Sequence, residues 1–560
     1  MNESFSIIFG LLGGLAIFIY GMNLMSEGLQ KVAGERMRQI LGILTKNVFF
    51  GVIAGAITTM VLQSSSATTV MVIGFVSAGL MNLPQAISVI LGANIGTTMT
   101  AQLIAFKLSD YIWPILFFGF LLHFVPKNEK TKNIGLTIFA FGLLFVGIDT
   151  MGDLMKPLAK SQIFVDMITQ VSHIPVLGVL VGSLMTVVVQ SSSATIAVLQ
   201  NFASTPGPDG ITSIIGLQGA IPVLLGDNIG TTITALLACI GQSKNAKRTA
   251  IAHSIFNVVG AVIFIFLINP FAAFVQMISP KGPELEIISR QIANAHTSFN
   301  ILNTLLWMPF VWLMVKIVTT IVPGNPVEEA SDKTNAIYLD PHLINQPVFA
   351  MTLCQKEVIQ SCETILHGLK DSRYSLVPFD KEASVEMKAM WKTQRNLQRE
   401  IQHYLSSMIS VGNSTEEQTN AITELLLVSS GLERICIQMN NIFEQMIELD
   451  EKQLCFSDVG EKEFRNSMDA VYELFKSSIE VLKDGDDVSI VMVIALRERL
   501  TDMEKDMQDN HLDRLNSGVC NPKMTPYFNT ILNDLTSIGT YCLDICQSLS
   551  YGISVSVEDR

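Results

Sequence analysis

The chain has 560 residues, of which 49% are hydrophobic and only 16% are charged, and its formal net charge is −13. Soluble proteins carry about 25% charged residues, so this composition excludes an ordinary soluble enzyme. Residues 1–330 hold 16 Lys/Arg and 14 Asp/Glu, whereas residues 331–560 hold 21 and 36. We therefore predict a membrane domain followed by an acidic soluble domain, and the acidic balance argues against a nucleic-acid partner.

Six apolar stretches are long enough to cross a hydrocarbon core of about 30 Å, which takes about 20 helical residues. They lie at 5–30, 85–106, 134–152, 213–240, 249–270 and 292–322. Residues 111–125 form a shorter candidate span. Because no Lys or Arg precedes the first apolar run, the pattern favours a retained membrane helix over a cleaved signal peptide.

Two further apolar stretches, 51–80 and 178–202, are each interrupted midway by a polar cluster. The cluster QSSSAT stands at 63–68 and again at 190–195, an offset of 127 residues. Neither half of either stretch can cross a membrane alone, and in lipid a broken helix persists only where it is buried in protein or faces a water-filled cavity. We therefore predict that each stretch is a re-entrant helical hairpin with its QSSS cluster at the tip.

The two hairpins belong to a longer duplication. GANIGTT at 92–98 recurs as GDNIGTT at 226–232, which sets repeat 1 at about 1–125 and repeat 2 at about 133–270. Lys and Arg in short loops mark the inner side of a membrane. Their distribution favours a threading of the chain through the membrane in which the two hairpins enter from opposite faces. The inside loops of this threading hold ten Lys/Arg and the outside loops five; the inside loops are 31–46, 126–133 and 241–250. The repeats are then inverted and the C-terminal domain is cytoplasmic.

A polar break in a membrane helix offers binding groups for both an anion and a cation. The N-terminus of the second half-helix carries partial positive charge and favours anions. Hydroxyl and Gln carbonyl oxygens can also coordinate a hard cation such as Na⁺. Inverted repeats with broken helices at a central site are the architecture of secondary transporters. The alternative is that the Ser clusters only form hydrogen bonds between membrane helices.

Paired QSSS motifs in two inverted repeats resemble the type II sodium–phosphate cotransporter family, in particular its bacterial branch with a C-terminal PhoU-like domain. The resemblance implies movement of inorganic phosphate with Na⁺ as the coupling ion, by an elevator or rocking mechanism. The phosphate and ion candidates that it implies are Ser64, Ser65, Ser66, Ser191, Ser192 and Ser193. The residues that it implies for Na⁺, or for stabilising the tips, are Gln63, Gln190, Thr68 and Thr195.

The repeated GxNIGTT segments supply further oxygen atoms. We expect them to begin helices, with Asn94 and Asn228 as capping residues and with Thr98 and Thr232 beside them. Two roles are left open for these oxygens: they form an ion site, or they bond the backbone of the neighbouring hairpin. Asp227 breaks the symmetry because its counterpart is Ala93. A carboxylate at membrane depth is a functional candidate, for Na⁺ or for H⁺, and the alternative is a helix cap near the membrane surface.

A further repeated motif is AHSIFN at 252–257 and AHTSFN at 295–300. Each copy places a His and an Asn four residues apart on one helix face. We interpret these pairs as buried polar side chains that hold helices together. The chain shows no nucleophile beside a base and no phosphate-binding GxxxxGK[ST] loop. We therefore predict neither an enzyme nor ATP-driven transport.

After a linker at 323–345, the pattern turns helical with a period of 3.6 residues. We predict six helices, at 348–372, 381–411, 415–450, 460–483, 487–516 and 524–550. The repeated LERI-type segment at 432–435 resembles a PhoU-like domain, which would span 346–560. PhoU-like domains are known for acidic metal-binding helices, so Glu498, Asp502 and Asp506 are candidate ligands of a divalent metal; the alternative is a solvated acidic face.

The sequence therefore predicts an all-α, polytopic membrane protein with a membrane domain over 1–322, including a further helix at 292–322, and a PhoU-like cytoplasmic domain. Its predicted function is Na⁺-coupled transport of inorganic phosphate across the inner membrane, with net direction open. The alternative is a membrane-anchored phosphate sensor that acts through the cytoplasmic domain. Phosphate, Na⁺ and the lipid bilayer are the predicted partners, and a cytoplasmic regulatory partner and a homodimer are left open.

Overall fold

The computed structural model describes residues 3–44, 47–77, 80–106, 108, 111–158, 174–207, 209–240, 242–324, 336, 338–344, 347–412, 414–484 and 487–548. The chain divides into two compact units, Met1–Ser331 and Asp332–Arg560. Both units are helical, and the described residues contain no β-strand beyond an isolated bridge between Pro206 and Ser213. Most of the predicted linker at 323–345 lies outside the described residues.

Thirteen α-helices are described in the first unit. They are α1 Glu3–Leu44, α2 Val48–Leu62, α3 Ser65–Ser77, α4 Leu83–Ile104, α5 Ile112–Phe124, α6 Glu129–Leu158, α7 Pro175–Val189, α8 Ser192–Ala203, α9 Gly216–Ala238, α10 Lys244–Ile265, α11 Ile268–Ile278, α12 Glu284–Trp307 and α13 Val311–Ile321. By length and composition, six described segments can cross a membrane: Ile7–Val32, Leu83–Ile104, Glu129–Leu154, Gly216–Ala238, Lys244–Ile265 and Glu284–Ile321. Each matches a predicted span, as in a polytopic membrane protein.

Two details of the first unit differ from the sequence prediction. Helix α1 continues to Leu44, so most of the predicted inside loop at 31–46 is helical. The end of the predicted span at 249–270 belongs to a separate short helix, α11, which begins at Ile268 after α10 has ended at Ile265. The shorter candidate span at 111–125 is confirmed as a helix, but its 13 residues leave it below the length of a full crossing.

Helix α2 packs closely against α4, and α7 packs in the same way against α9, because glycines line both interfaces. A Cβ on Gly55 would lie 1.9 Å from the Val89 carbonyl oxygen, and one on Gly182 would lie 2.0 Å from the Val223 carbonyl oxygen. Real Cβ atoms do not approach oxygen so closely, and small residues are what allow membrane helices to pack backbone to backbone. The two glycines are 127 residues apart, as are the two QSSS clusters. The duplicated sequence thus has duplicated packing.

The second unit contains six described α-helices. They are α14 Pro347–Leu376, α15 Lys381–Val411, α16 Glu416–Glu451, α17 Asp458–Asp484, α18 Asp487–Asn516 and α19 Thr525–Gln547. All six agree with the prediction to within a few residues. On α19 the apolar residues Phe528, Ile531, Leu535, Ile538, Cys542 and Ile545 are buried, as their spacing predicts, whereas Leu549 lies outside the described residues.

Candidate functional site

The first QSSS cluster stands where α2 ends and α3 begins. Gln63 follows α2 with a left-handed φ of 52°, which reverses the chain direction. The Ser64 hydroxyl then accepts a hydrogen bond from the Ala67 N–H at 3.1 Å and caps α3. Deeper in the fold, the Thr59 and Thr68 hydroxyls are 2.9 Å apart. The helix therefore breaks at the predicted residues, and its two halves fold back against each other.

The second cluster has the same local geometry. Gln190 follows α7 with a φ of 58°, and the Ser191 hydroxyl accepts from the Ala194 N–H at 3.2 Å. The Thr186 and Thr195 hydroxyls are 2.9 Å apart, as those of Thr59 and Thr68 are. We call the two breaks tip 1 (residues 63–68) and tip 2 (residues 190–195). Thr59 and Thr186 were missed by the sequence analysis, although their offset of 127 residues could have identified them.

The predicted phosphate-binding serines occupy the starts of α3 and α8. Ser65 and Ser193 are buried, and the other four serines, Ser64, Ser66, Ser191 and Ser192, are half-buried. The Ser66 hydroxyl accepts from the Thr234 hydroxyl on α9 at 3.0 Å, which joins tip 1 to the second copy of the duplication. Within the described residues, no hydrogen bond joins the serines of one tip to those of the other. Hydroxyl donors thus line two positively polarised helix starts.

The two tip glutamines differ in their partners. The half-buried Gln63 donates to the Met60 carbonyl, and its Oε1 accepts from the Thr100 hydroxyl at 2.9 Å. The exposed Gln190 donates to the Val187 carbonyl at 2.8 Å. Both side chains therefore stabilise the turns that they form, and the Gln63 oxygen is already an acceptor in this conformation.

The expectation that GxNIGTT segments begin helices is wrong. Asn94 lies in the middle of α4, which begins at Leu83 behind a capping box formed by Asn82 and Gln85. Instead of capping, the Asn94 Nδ2 donates to the Ile90 carbonyl at 2.8 Å. Its Oδ1 accepts from Asn257 Nδ2 at 3.2 Å and lies 3.4 Å from His253 Nε2, both on α10. We call Asn94, His253 and Asn257 clamp 1.

The second copy builds a matching arrangement, which we call clamp 2. Asn228 lies in the interior of α9, and its Nδ2 donates to the Leu224 carbonyl at 2.9 Å. Its Oδ1 lies 3.4 Å from both Asn300 Nδ2 and His296 Nε2 on α12. The AHSIFN and AHTSFN motifs therefore hold helices together. Because Oδ1 has two hydrogen-bond neighbours in each clamp, neither amide oxygen has a free position for a cation in this conformation.

Asp227 also lies in the helix interior, so its interpretation as a helix cap is wrong. It is completely buried, eleven residues after α9 begins at Gly216. Its Oδ1 accepts from the Thr186 hydroxyl at 2.6 Å, and Oδ2 has no protein partner. The same Thr186 hydroxyl contacts Thr195 of tip 2. A buried carboxylate with one unpartnered oxygen is costly unless a cation or a proton neutralises it.

The threonines of the GxNIGTT segments bond mostly to their own helices. The Thr98 hydroxyl donates to the Ile95 carbonyl and the Thr232 hydroxyl to the Ile229 carbonyl, both at 2.8 Å. Thr98 is also 3.1 Å from the Thr297 hydroxyl on α12. This places Thr98 at a helix interface, whereas the hydrogen bond of the Thr232 hydroxyl is local.

In the second unit, the acidic candidates Glu498, Asp502 and Asp506 are all exposed on α18. Among the described residues, no group of three or more His, Cys, Asp or Glu side chains is placed to hold a metal ion. A single row of carboxylates on an exposed helix supplies too few ligands for a divalent cation on its own. The solvated-face interpretation is thus the one that the geometry favours.

Asp534 is one of the buried carboxyl groups of the second unit that the sequence prediction missed. Asp534 on α19 is buried, and burial raises its pKa to about 6 against a smaller opposing effect of a hydrogen bond from Asn441. The matching residue in the LERI-type repeat is Gly431. Nothing in the local pattern marks Asp534 as buried, because an Asp between apolar residues of a helix usually faces solvent.

Comparison with known proteins assigns the first unit. The model of the Na⁺/Pi-cotransporter family matches the chain twice, over residues 17–153 and 152–279. The YqeW protein of Bacillus subtilis is 33% identical over 310 residues, which are 55% of this chain and 96% of that protein. YjbB of Salmonella typhimurium, provisionally named an inorganic phosphate export protein, is 24% identical over 90% of each chain.

A human relative is called sodium-dependent phosphate transport protein 2B. It is 35% identical over 97 residues, which are 17% of this chain and 14% of that protein. No solved structure matches the chain. The family model and the YqeW match establish that this chain belongs to the Na⁺/Pi-cotransporter family.

Proposed function

We propose that this protein is a secondary transporter that couples the movement of inorganic phosphate to Na⁺. The observation that carries the proposal is the pair of matched QSSS tips in a chain of the Na⁺/Pi-cotransporter family. Two relatives support the substrate, since the names of YjbB and of human protein 2B both refer to phosphate. The name of the human protein also refers to sodium. The net direction is that of the dominant gradient, because a coupled carrier is reversible.

The proposed architecture is two inverted repeats whose re-entrant hairpins bring the tips to the middle of the membrane. It is supported by the double match of the family model and by the matched tips, clamps and glycine contacts. Alternating access around such a site is how inverted-repeat transporters move a solute. In the inner membrane, the second unit would lie in the cytoplasm as a PhoU-like regulatory domain.

The tips divide the binding work between two kinds of group. Ser64, Ser65 and Ser66, with Ser191, Ser192 and Ser193, offer hydroxyl and helix-start donors, which suit phosphate oxygens. The hydrogen-bonded side chains of Asp227, Thr186 and Thr195 offer oxygens and a negative charge beside tip 2, which suit Na⁺. Asn94, Asn228, Thr98 and Thr232 would contribute to an ion site only in a conformation that opens their present hydrogen bonds. Gln63, Gln190 and Thr68 stabilise the turns.

Flux of ³²P-phosphate into proteoliposomes that contain the full chain tests the proposal. We expect an inward Na⁺ gradient to drive accumulation, and we expect Ser65→Ala and Ser192→Ala to abolish it. The matched controls are Ser77→Ala and Ser204→Ala at the far ends of α3 and α8, whose hydroxyls bond Gln242 and the Gln200 carbonyl; these variants should keep wild-type flux.

The result that contradicts the proposal is phosphate flux that is the same with and without a Na⁺ gradient. A second contrary result is full flux by the Ser65 and Ser192 variants. If folded wild-type protein moves no phosphate at all, the alternative of a membrane-anchored phosphate sensor is favoured, because a sensor needs binding without translocation.

A further inference from the structure

One arginine of the first unit, Arg290, lies inside a candidate membrane span. Arg290 stands in the second turn of α12, within the span Glu284–Ile321, and it is half-buried. Its Nη1 donates to Gln102 Oε1 at 2.7 Å, and its Cζ lies 4.3 Å from the centre of the Phe106 ring. In the part of the chain that the structure describes, it forms no ion pair with a carboxylate.

Three other cations of this unit have evident structural partners. Arg248 is buried, and its guanidinium donates to the carbonyls of Val322 and Gly324 just after α13. Lys31 and Lys132 form ion pairs with carboxylates one helical turn away. Both hydrogen bonds of Arg290 use Nη1 and end on Gln102, so Nη2 and Nε have no acceptor among the described residues. A guanidinium has five N–H donors, and this one keeps several for another partner.

Arg290 also begins a chain of polar contacts that leads into the unit. Gln102 Nε2 donates to the Thr297 hydroxyl at 2.9 Å, and Thr297 is 3.1 Å from Thr98 in the first GxNIGTT segment. Thr297 follows Arg290 by seven residues on α12, a rise of about 10 Å. The chain of contacts therefore runs from the half-exposed guanidinium towards the helix interior.

The same region touches the helix that begins at tip 2. Gln200 on α8 donates to the carbonyls of Ala101 and Ser289, the residues just before Gln102 and Arg290. Ser192 and Gln200 are eight residues apart, a rise of about 12 Å along α8. Arg290 thus lies beside the far end of the helix whose start holds the serines of tip 2, while Phe106 is 52% exposed.

We propose that Arg290, oriented by Gln102, forms a receiving subsite for a tetrahedral oxyanion beside the far end of α8, separate from the QSSS tips. Its ligand is phosphate, so the inference rests on the proposed function. The planar fork of Arg suits two oxygens of one phosphate. A half-buried cation without a carboxylate partner also attracts anions towards the position where it lies.

The test measures the kinetics of phosphate flux by the full chain in proteoliposomes at saturating Na⁺. We expect Arg290→Gln to raise the KM for phosphate roughly tenfold, since a charge-assisted hydrogen bond is lost, with Vmax changed less than about twofold. Arg290→Lys keeps the charge but not the planar guanidinium, so its KM should lie between those of wild type and Arg290→Gln. The control is Lys281→Gln, an exposed cation just before α12 whose Nζ donates to the Gln276 carbonyl; its KM should equal that of wild type.

Gln102→Glu gives an independent test that keeps the arginine. A carboxylate in this position would pair with the guanidinium and compete with phosphate, so we expect a higher KM and an unchanged Na⁺ concentration for half-maximal flux. An unchanged KM in both Arg290→Gln and Gln102→Glu would overturn the inference, and so would a loss of Vmax at constant KM. If wild-type protein moves no phosphate, the proposed function fails first and the subsite fails with it.

Discussion

The two tips share six residues of sequence, yet they are packed differently. At tip 1, the Ser26 hydroxyl of α1 donates to the Leu62 carbonyl at 2.6 Å, and Gln63 bonds both its own turn and Thr100. At tip 2, Gln190 is exposed, and the neighbouring α7 leaves Leu184 66% and Val188 73% exposed. The residues that match these two on α2 are half-buried.

This difference shows which part of a tip its sequence specifies. The break, the left-handed Gln and the Ser cap occur at both tips because they depend on residues only a few positions apart. The surroundings of each tip depend on which helices happen to cover it. Under the proposed function, one covered and one uncovered tip would be one conformation of a transporter whose two halves exchange roles.

The largest predicted effect concerns Asp227, which only the second copy has. Asp227→Asn keeps the size of the side chain and a bond to Thr186 but removes the charge. If the carboxylate balances a bound Na⁺, its loss removes one partner of a buried charge pair, which costs about 3–5 kcal/mol. We expect Na⁺-driven phosphate flux to fall at least about a hundredfold. We also expect that Na⁺ will no longer raise the unfolding temperature, because ligand binding stabilises only the form that binds it.

The control for this prediction is Asp149→Asn, a half-buried carboxylate on α6. It should leave the effect of Na⁺ on the unfolding temperature intact. If Asp227→Asn instead retains wild-type Na⁺ stabilisation, the asymmetry at position 227 has no role in ion binding.

The clamps provide the next test, because each places a buried Asn oxygen beside a His and an Asn that are four residues apart. Asn257→Ala and Asn300→Ala each remove one donor from a buried Asn oxygen, which costs about 1–3 kcal/mol of the free energy of unfolding. We expect equal losses within about 1 kcal/mol, measured by thermal unfolding of the detergent-solubilised full chain. Ser254→Ala is the control, since its half-buried hydroxyl bonds only the Ala250 carbonyl. Clearly unequal losses would break the equivalence of the clamps.

The smallest effect separates the two tip glutamines. Gln63→Ala and Gln190→Ala impose the same left-handed backbone on Ala, so the difference between them reports their side-chain contacts. Gln63 has the additional bond from Thr100, so its replacement should cost about 1 kcal/mol more in unfolding free energy. Equal unfolding temperatures for the two variants would mean that tip 1 is no better anchored than tip 2.

Much of the architecture could be predicted from the sequence because it depends on local pattern. Apolar length predicted all six spans, and helical periodicity predicted the six helices of the second unit. The repeat predicted where both helices break, at Gln63 and Gln190. The local pattern gave a wrong prediction at Asn94 and Asn228, since an Asn that is typical of a helix cap lies in mid-helix here.

The sequence by itself determined the helices, the duplication and the two breaks, since each follows from residues that are neighbours in the chain or copies of one another. Only the tertiary structure decided which polar groups meet. Ser66 and Thr234 are 168 residues apart, Asn94 and Asn257 are 163 apart, and Gln102 and Arg290 are 188 apart. A buried polar atom must find a partner, but that partner is chosen by the rotation and depth of each packed helix, which no local pattern encodes.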